Sequence, residues 1–446
     1  MEKILNLFKI PDLRKRLVFT LGLLAVYRIG AAVPLPGINT EALRVLFEQH
    51  RGSFLGFLDI FSGGALSRFS ILTLGTIPYI NASIILSLLQ GAHVIPYLDR
   101  LAREGESGRK KIQQVTRYMA VFLAIFQSFA IAVGFSGTQG PGGASIVMDA
   151  STGFYMMTAL TWTAGAIFVM WLGEQITEFG IGNGISLIIF TGIIARLPAA
   201  ITDIFRLVRV EELSLIAALL LAGLVLVVCG LVVWVETAQR QIPVQYAKRM
   251  VGRKMTGGVS TYLPIKLDPS GVIAVIFASA VIQAPLFISQ LFPASAVSGF
   301  LQRSFGGFNQ GASLFSLIYA GLIIFFCYFY NSIAINPNDL AENMKKWGGF
   351  IPGIRPGRST AEHIEWVVEH LTLFGALFVA SIAVLPDYLR QYFSAPFFFG
   401  STSLLIVVGV ALDTIGQLEA HLLMRHYEGF MKKGHVKGRW FNVGQA

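Results

Sequence analysis

Side chains able to do chemistry are few and scattered in this chain. The histidines, His50, His93, His363, His370, His421, His426 and His435, lie mostly at the ends of apolar runs or between them. None forms an HExxH pair or joins a Cys/His cluster, and no GxSxG elbow presents a nucleophile. Cys229 and Cys327 both sit inside apolar runs, which leaves no disulfide framework and no thiolate metal set. Gly180–Gly184 (GIGNG) lacks the Lys-Ser/Thr of a phosphate loop and follows no strand, so it reads as a tight turn. Proton or ion transfer remains. Asp413 lies in an apolar run with Glu419 beyond it; such a carboxylate either carries protons or faces a bundle interior. Arg28 lies in another run, with a stem long enough to snorkel outward. Without paired charges at mid-depth, an ion-coupled pump has little support.

The elements that hold these residues are hydrophobic. Of 446 residues, 54% are hydrophobic and 13% charged, against about a quarter charged in ordinary soluble chains. The mean hydropathy is +0.64. A helix crossing a bilayer takes roughly 20 apolar residues. Ten stretches meet that need: Leu17–Leu35, Phe69–Pro96, Tyr118–Phe135, Phe154–Leu172, Ile185–Ile204, Leu213–Val235, Gly271–Phe292, Ala312–Ala334, Val367–Leu389 and Thr402–Met424. The expected fold is an all-α integral membrane protein of ten transmembrane helices. The first stretch follows Arg14, Lys15 and Arg16 and has no small-residue cleavage site, so it reads as a permanent helix rather than a signal peptide.

Charge sets the orientation. The net charge is +10, and most of the 35 Lys and Arg residues fall in the segments that share a side with both termini. By the positive-inside rule that side is cytoplasmic. One short segment departs: Gly173–Gly184 carries Glu174 and Glu178 and no basic residue.

Three segments are not explained by spanning. Phe54–Leu66 (FLGFLDIFSGGAL) is apolar but too short to cross, and Gly63–Gly64 interrupts it. A buried or re-entrant piece beside a cavity and an amphipathic surface helix both fit. In Gln239–Pro269, Ile242, Val244 and Tyr246 alternate with polar residues before a second extended run, VSTYLPIKL. That pattern predicts a projecting strand pair with a basic tip. Asn336–Glu365 is stiffened by prolines and glycines within KKWGGFIPGIRPGRS. Two long basic loops suit docking to an anionic partner such as ribosomal RNA.

Seven runs are similar to one family. SGGALSRFSI (Ser62–Ile71), PYINASI (Pro78–Ile84), EGESGRKKI (Glu104–Ile112) and WLGEQITEFGIGNGIS (Trp171–Ser186) resemble SecY, the central channel subunit of the bacterial protein translocase. PVQYAKR (Pro243–Arg249), FIPGIRPG (Phe350–Gly357) and FGSTSLLIV (Phe399–Val407) do so too. The matches run in order along essentially the whole chain.

The resemblance implies two pseudo-symmetric five-helix halves, residues 1–204 and 205–446, hinged on the outer side. The sequence itself shows no internal repeat. It implies an hourglass pore plugged from outside by a short helix at about residues 54–67, with Phe54, Leu55, Leu58, Ile60, Phe61 and Leu66 as its apolar residues. It places a pore ring at Thr76, Ile80, Ile185, Ile189, Ile276 and Ile406, although any single Ile would otherwise read as ordinary core. Thr76 departs from the isoleucine often found there. A lateral gate would run between spans two and three and spans seven and eight, with Ser279, Gln283 and Pro285 as its features. The loops at about 237–269 and 335–366 would meet the ribosome or the SecA motor ATPase through Lys248, Arg249, Arg253, Lys254 and Arg355. SecE would clamp the bundle and SecG would lie at its periphery. The cargo would be signal sequences, nascent chains and membrane spans released into lipid. No cofactor and no hydrolysis by the chain itself are implied, and the membrane would be the bacterial inner membrane with both termini cytoplasmic. The competing readings are an inverted-repeat transporter for a small solute, with a polar midplane site, and a receptor or assembly scaffold.

Overall fold

The computed structural model describes residues 11–49, 59, 62–92, 94–136, 145–211, 214–246, 249–251, 254–256, 260–291, 313–393 and 401–433. Helices come in the order α1 (Pro11–Gly30), α2 (Thr40–Gln49), α3 (Ile77–Gly91), α4 (Pro96–Arg103), α5 (Glu106–Ser136), α6 (Thr152–Phe179), α7 (Gly184–Ile194), α8 (Leu197–Arg209) and α9 (Leu215–Thr237). Four strands follow: β1 (Gln239–Tyr246), β2 (Arg249–Val251), β3 (Lys254–Thr256) and β4 (Ser260–Lys266). Then come α10 (Val272–Leu291), α11 (Ser313–Ala334), α12 (Pro337–Lys346), β5 (Gly349–Phe350), α13 (Arg358–Phe393) and α14 (Ser401–Lys433).

Each of the ten predicted spans coincides with helix, the fifth as α7 and α8 in succession. Among the described residues, seven helices are long and apolar enough to cross a membrane by length and composition. An eighth appears if α3 and α4, bent by 91°, count as one span. The first and seventh spans fall outside that count, as α1, which opens with Arg14, Lys15 and Arg16, and α10, with the shorter apolar run Val272–Ile282.

The second span begins later than expected. Helix starts at Ile77 rather than Phe69, and residues 62–76 run as turns. Other elements claim the backbone there: the Trp162 indole donates to Ser70 O at 3.0 Å, and Ile71 N–H to Val33 O at 3.0 Å. Phe69 sits at φ +49°, an uncommon angle for a side-chain-bearing residue, with its ring 4.5 Å from that of Trp162.

One apolar core runs through the bundle. α10 packs on α11, α5, α3 and α14, while α14 also meets α7, α9 and α13. The apolar stretch of α9 is only 6% buried. A helix that greasy on every side and that exposed must be covered by lipid or by another membrane chain.

The two polar loops fold together. β1 pairs antiparallel with β4 from Gln239↔Lys266 to Gln245↔Ser260, as the alternation predicts, and β2 pairs with β3 at the tip. The sequence does not show that the second loop joins them: β5 pairs with β1 through Gln245↔Phe350 and Tyr246↔Gly349. Ile242, Val244, Ile265, Met344, Ile351 and Ile364 form the small core of this unit.

Candidate functional site

The proposed ring residues come from four helices well separated along the chain. Ile80 on α3, Ile189 on α7, Ile276 on α10 and Ile406 on α14 are all buried in the same apolar cluster, and Ile185 packs against it. Thr76, also buried, is the residue preceding α3. The Gly180–Gly184 turn fixes the start of α7: the Asn183 side chain accepts from Ile185 N–H at 3.1 Å and Ser186 N–H at 3.3 Å. Gly182 N–H reaches Gln417 Oε1 of α14 at 2.9 Å. That tie joins the start of α7 to α14, 235 residues further along the chain.

Against this cluster lies the end of the candidate plug. Leu66 is buried in the same cluster, together with Phe69, Leu72 and Leu74. Phe54, Leu55, Leu58, Ile60 and Phe61 lie outside the described residues. Of the described part, Asp59 is helical and residues 62–67 run as turns. Three side chains hold it. Tyr27 OH donates to Ser62 O at 3.3 Å, and Arg28 Nη1 to Gly63 O at 2.6 Å, both from α1. Arg28 therefore turns onto this segment instead of snorkelling away. Buried Asp59 pairs with Arg196, at the break between α7 and α8. An apolar-run arginine is the sequence signal that could have marked Arg196, since charges at membrane depth need a partner.

The helices of the proposed lateral gate touch. α10 packs on both α3 and α5. At Gly91, the last residue of α3, an added Cβ would stand 2.8 Å from both Phe329 and Ile333 of α11. Ser279 is buried and donates to Ile276 O at 2.8 Å, one turn back in α10. Pro285 lies within α10 and is partly buried; the side chain of Gln283 lies outside the described residues.

The docking candidates lie on the loop unit. Lys248 and Arg253 are outside the described residues, Arg249 opens β2 and Lys254 opens β3. Arg355 is exposed in the turn after β5. Trp347, which no sequence pattern singles out, is 73% exposed beside Lys346. Where α10 begins, Asp268 is buried and accepts from Ser270 and Gly271 N–H at 3.1 Å each. Burial raises its pKa, and these bonds oppose the rise.

The carrier reading finds little to build on. Asp413 and Glu419 are both exposed. No cluster of His, Cys, Asp or Glu among the described residues could hold a metal.

A SecY family model matches residues 70–415. The chain belongs to the SecY family. It is 46% identical to the protein translocase subunit SecY of Escherichia coli strain K12, over 96% of each chain. To the protein translocase subunit SecY of Aquifex aeolicus strain VF5 it is 42% identical, over 97% of this chain and all of that one. Among solved structures, "The structure of a protein conducting channel" matches with a TM-score of 0.63 at 16% identity, over 95% of this chain and 94% of that one. "The plug domain of the SecY protein stablizes the closed state of the translocation channel and maintains a membrane seal" matches with a TM-score of 0.65 at 17% identity, over the same shares. Those two share the fold. Family membership makes this chain the channel subunit of a protein translocase, a multi-pass membrane protein.

Proposed function

We propose that this SecY-family channel is held shut by three devices: the segment around residues 54–67, the apolar ring, and the seam between α3, α5, α10 and α11. The observation that carries this reading is that Ile80, Ile189, Ile276 and Ile406, from four helices, are buried in the same apolar core as Leu66. A constriction walled by aliphatic side chains offers water no hydrogen bonds, so ions are held back by dewetting. An extended polypeptide can still pass when the helices separate, and an apolar segment can leave between α3 and α10 into lipid. Signal sequence and partner bind the open state better and shift a closed–open equilibrium.

Other parts take the family's roles. The β1–β5 unit, with Lys248, Arg249, Arg253, Lys254 and Arg355, is the docking surface for the ribosome or SecA. SecE clamps the bundle, and SecG lies at the edge. Residues 1–204 and 205–446 are the two halves. The termini face the cytoplasm of a bacterial inner membrane, as the basic segments indicate, and the chain itself hydrolyses nothing. Reconstitution tests the whole. Vesicles carrying this chain with SecE should move a signal-bearing preprotein only when a motor or ribosome is supplied. Saturable uptake of a small solute by the chain alone would favour the transporter reading instead.

A further inference from the structure

We propose that Asp59 and Arg196 form a charge latch that fixes the resting position of the plug, making both positioning residues for gating. The inference rests on the plug reading above.

Both carboxylate oxygens of Asp59 are used. Oδ1 accepts from Ser67 N–H at 2.8 Å and from the Ser62 hydroxyl at 3.5 Å. Gly64 N–H donates to Asp59 O at 2.9 Å, and Ser62 Oγ accepts from Leu66 N–H at 3.1 Å, so Asp59 and residues 62–67 are bonded to one another. Oδ2 accepts from a group of a different element, the guanidinium of Arg196. The two side chains differ sharply in exposure, 4% for Asp59 and 35% for Arg196. A desolvated carboxylate is tolerated only where it is paired and hydrogen-bonded. The Asp59 side chain therefore has one acceptable seat, beside Arg196.

This is specificity more than strength. A buried pair adds little net stability, because desolvation offsets most of the attraction, but loss of one partner is costly. If the plug slides, Asp59 loses its partner while still buried. If the plug leaves altogether, both charges regain water. The latch thus penalises partly displaced positions and separates a seated state from a fully open one. The bonds from Tyr27 and Arg28 reach only backbone carbonyls and carry no such side-chain selectivity.

The test is resting ion conductance of the reconstituted SecE-containing complex, normalised to folded protein, with the Phe54–Ser67 deletion run beside it. Arg196→Ala should raise the open-to-closed ratio on the order of tenfold or more. The neutral double variant Asp59→Asn/Arg196→Gln, which keeps the acceptor for Ser67 and has no stranded charge, should return close to wild type. Should the alanine variant fail to accumulate, Arg196→Gln should leak and Arg196→Lys should stay tight. A tight Arg196→Ala beside a leaking deletion would overturn the latch and leave the plug standing. A double variant that leaks as much as Arg196→Ala, or Gln and Lys variants that conduct alike, would also overturn it. If the deletion itself stays tight, the plug reading falls and the latch with it.

Discussion

Gly63 and Gly192 meet backbone to backbone. A Cβ added to Gly63 would stand 2.7 Å from Gly192 Cα, and one added to Gly192 would stand 2.9 Å from Gly63 Cα. No side chain fits there without moving the plug segment off α7. Gly63 also sits at φ +65°, where an L side chain is strained for its own sake, so Gly192 is the cleaner probe. Gly192→Ala should raise resting conductance while leaving insertion intact. Gly22→Ala, on a face of α1 with nothing within 4 Å, should do nothing. Equal conductance in the two variants would contradict the seating of residues 62–69 against α7.

Deleting Phe54–Ser67 should leave a folded, inserted chain, because no spanning helix among the described residues includes any of them. Conductance at rest should rise as the outer vestibule loses its stopper. A deletion as tight as wild type would favour an amphipathic surface helix for this stretch.

Reversing Lys248 and Arg249 to Glu should weaken ribosome or SecA binding. Exposed charge contacts are screened over about 8–10 Å at physiological salt, so wild-type affinity should fall as ionic strength rises. Arg355→Lys should also weaken binding if the guanidinium grips its partner with both nitrogens. Titration of purified complex with ribosomes across a salt series measures all three. Salt-independent binding would move the contact elsewhere.

Much of the fold was legible because its signals are long and strong. An apolar run of about 20 residues has little alternative to a helix, and the Ile242–Val244–Tyr246 alternation could hardly be anything but a strand. What was hidden depends on contacts far apart in sequence. The turns at residues 62–76 answer to Trp162 and Val33, not to their own apolar pattern, so the start of α3 was misplaced. β5 is only two residues long, too short for any periodicity, and exists because β1 offers it an edge. The site divides in the same way. Ring positions such as Ile189 could be named only through the family resemblance, since an isoleucine in a greasy helix looks like every other. Asp59 looked ordinary alone, and Arg196 stood out only as a charge in an apolar run; their meaning lies in a pairing across 137 residues.

The central claim is that the isoleucine cluster is a gate and not ordinary core, and polar substitution separates the two. Ile189→Asp or Ile80→Asn gives water a partner at the constriction, so the closed pore should wet and leak. A shift of about 1.4 kcal/mol raises the open-to-closed ratio tenfold. The same variants should accept weaker signal sequences, whereas Ile→Val and Ile→Leu should change little because the wall stays apolar. In ordinary core, a buried carboxylate would lower expression and stability without opening any path. The decisive measurement is ion flux through purified, reconstituted Ile189→Asp protein, normalised to the folded amount. The account predicts a clear resting leak above wild type; tight vesicles carrying normally folded Ile189→Asp would contradict it.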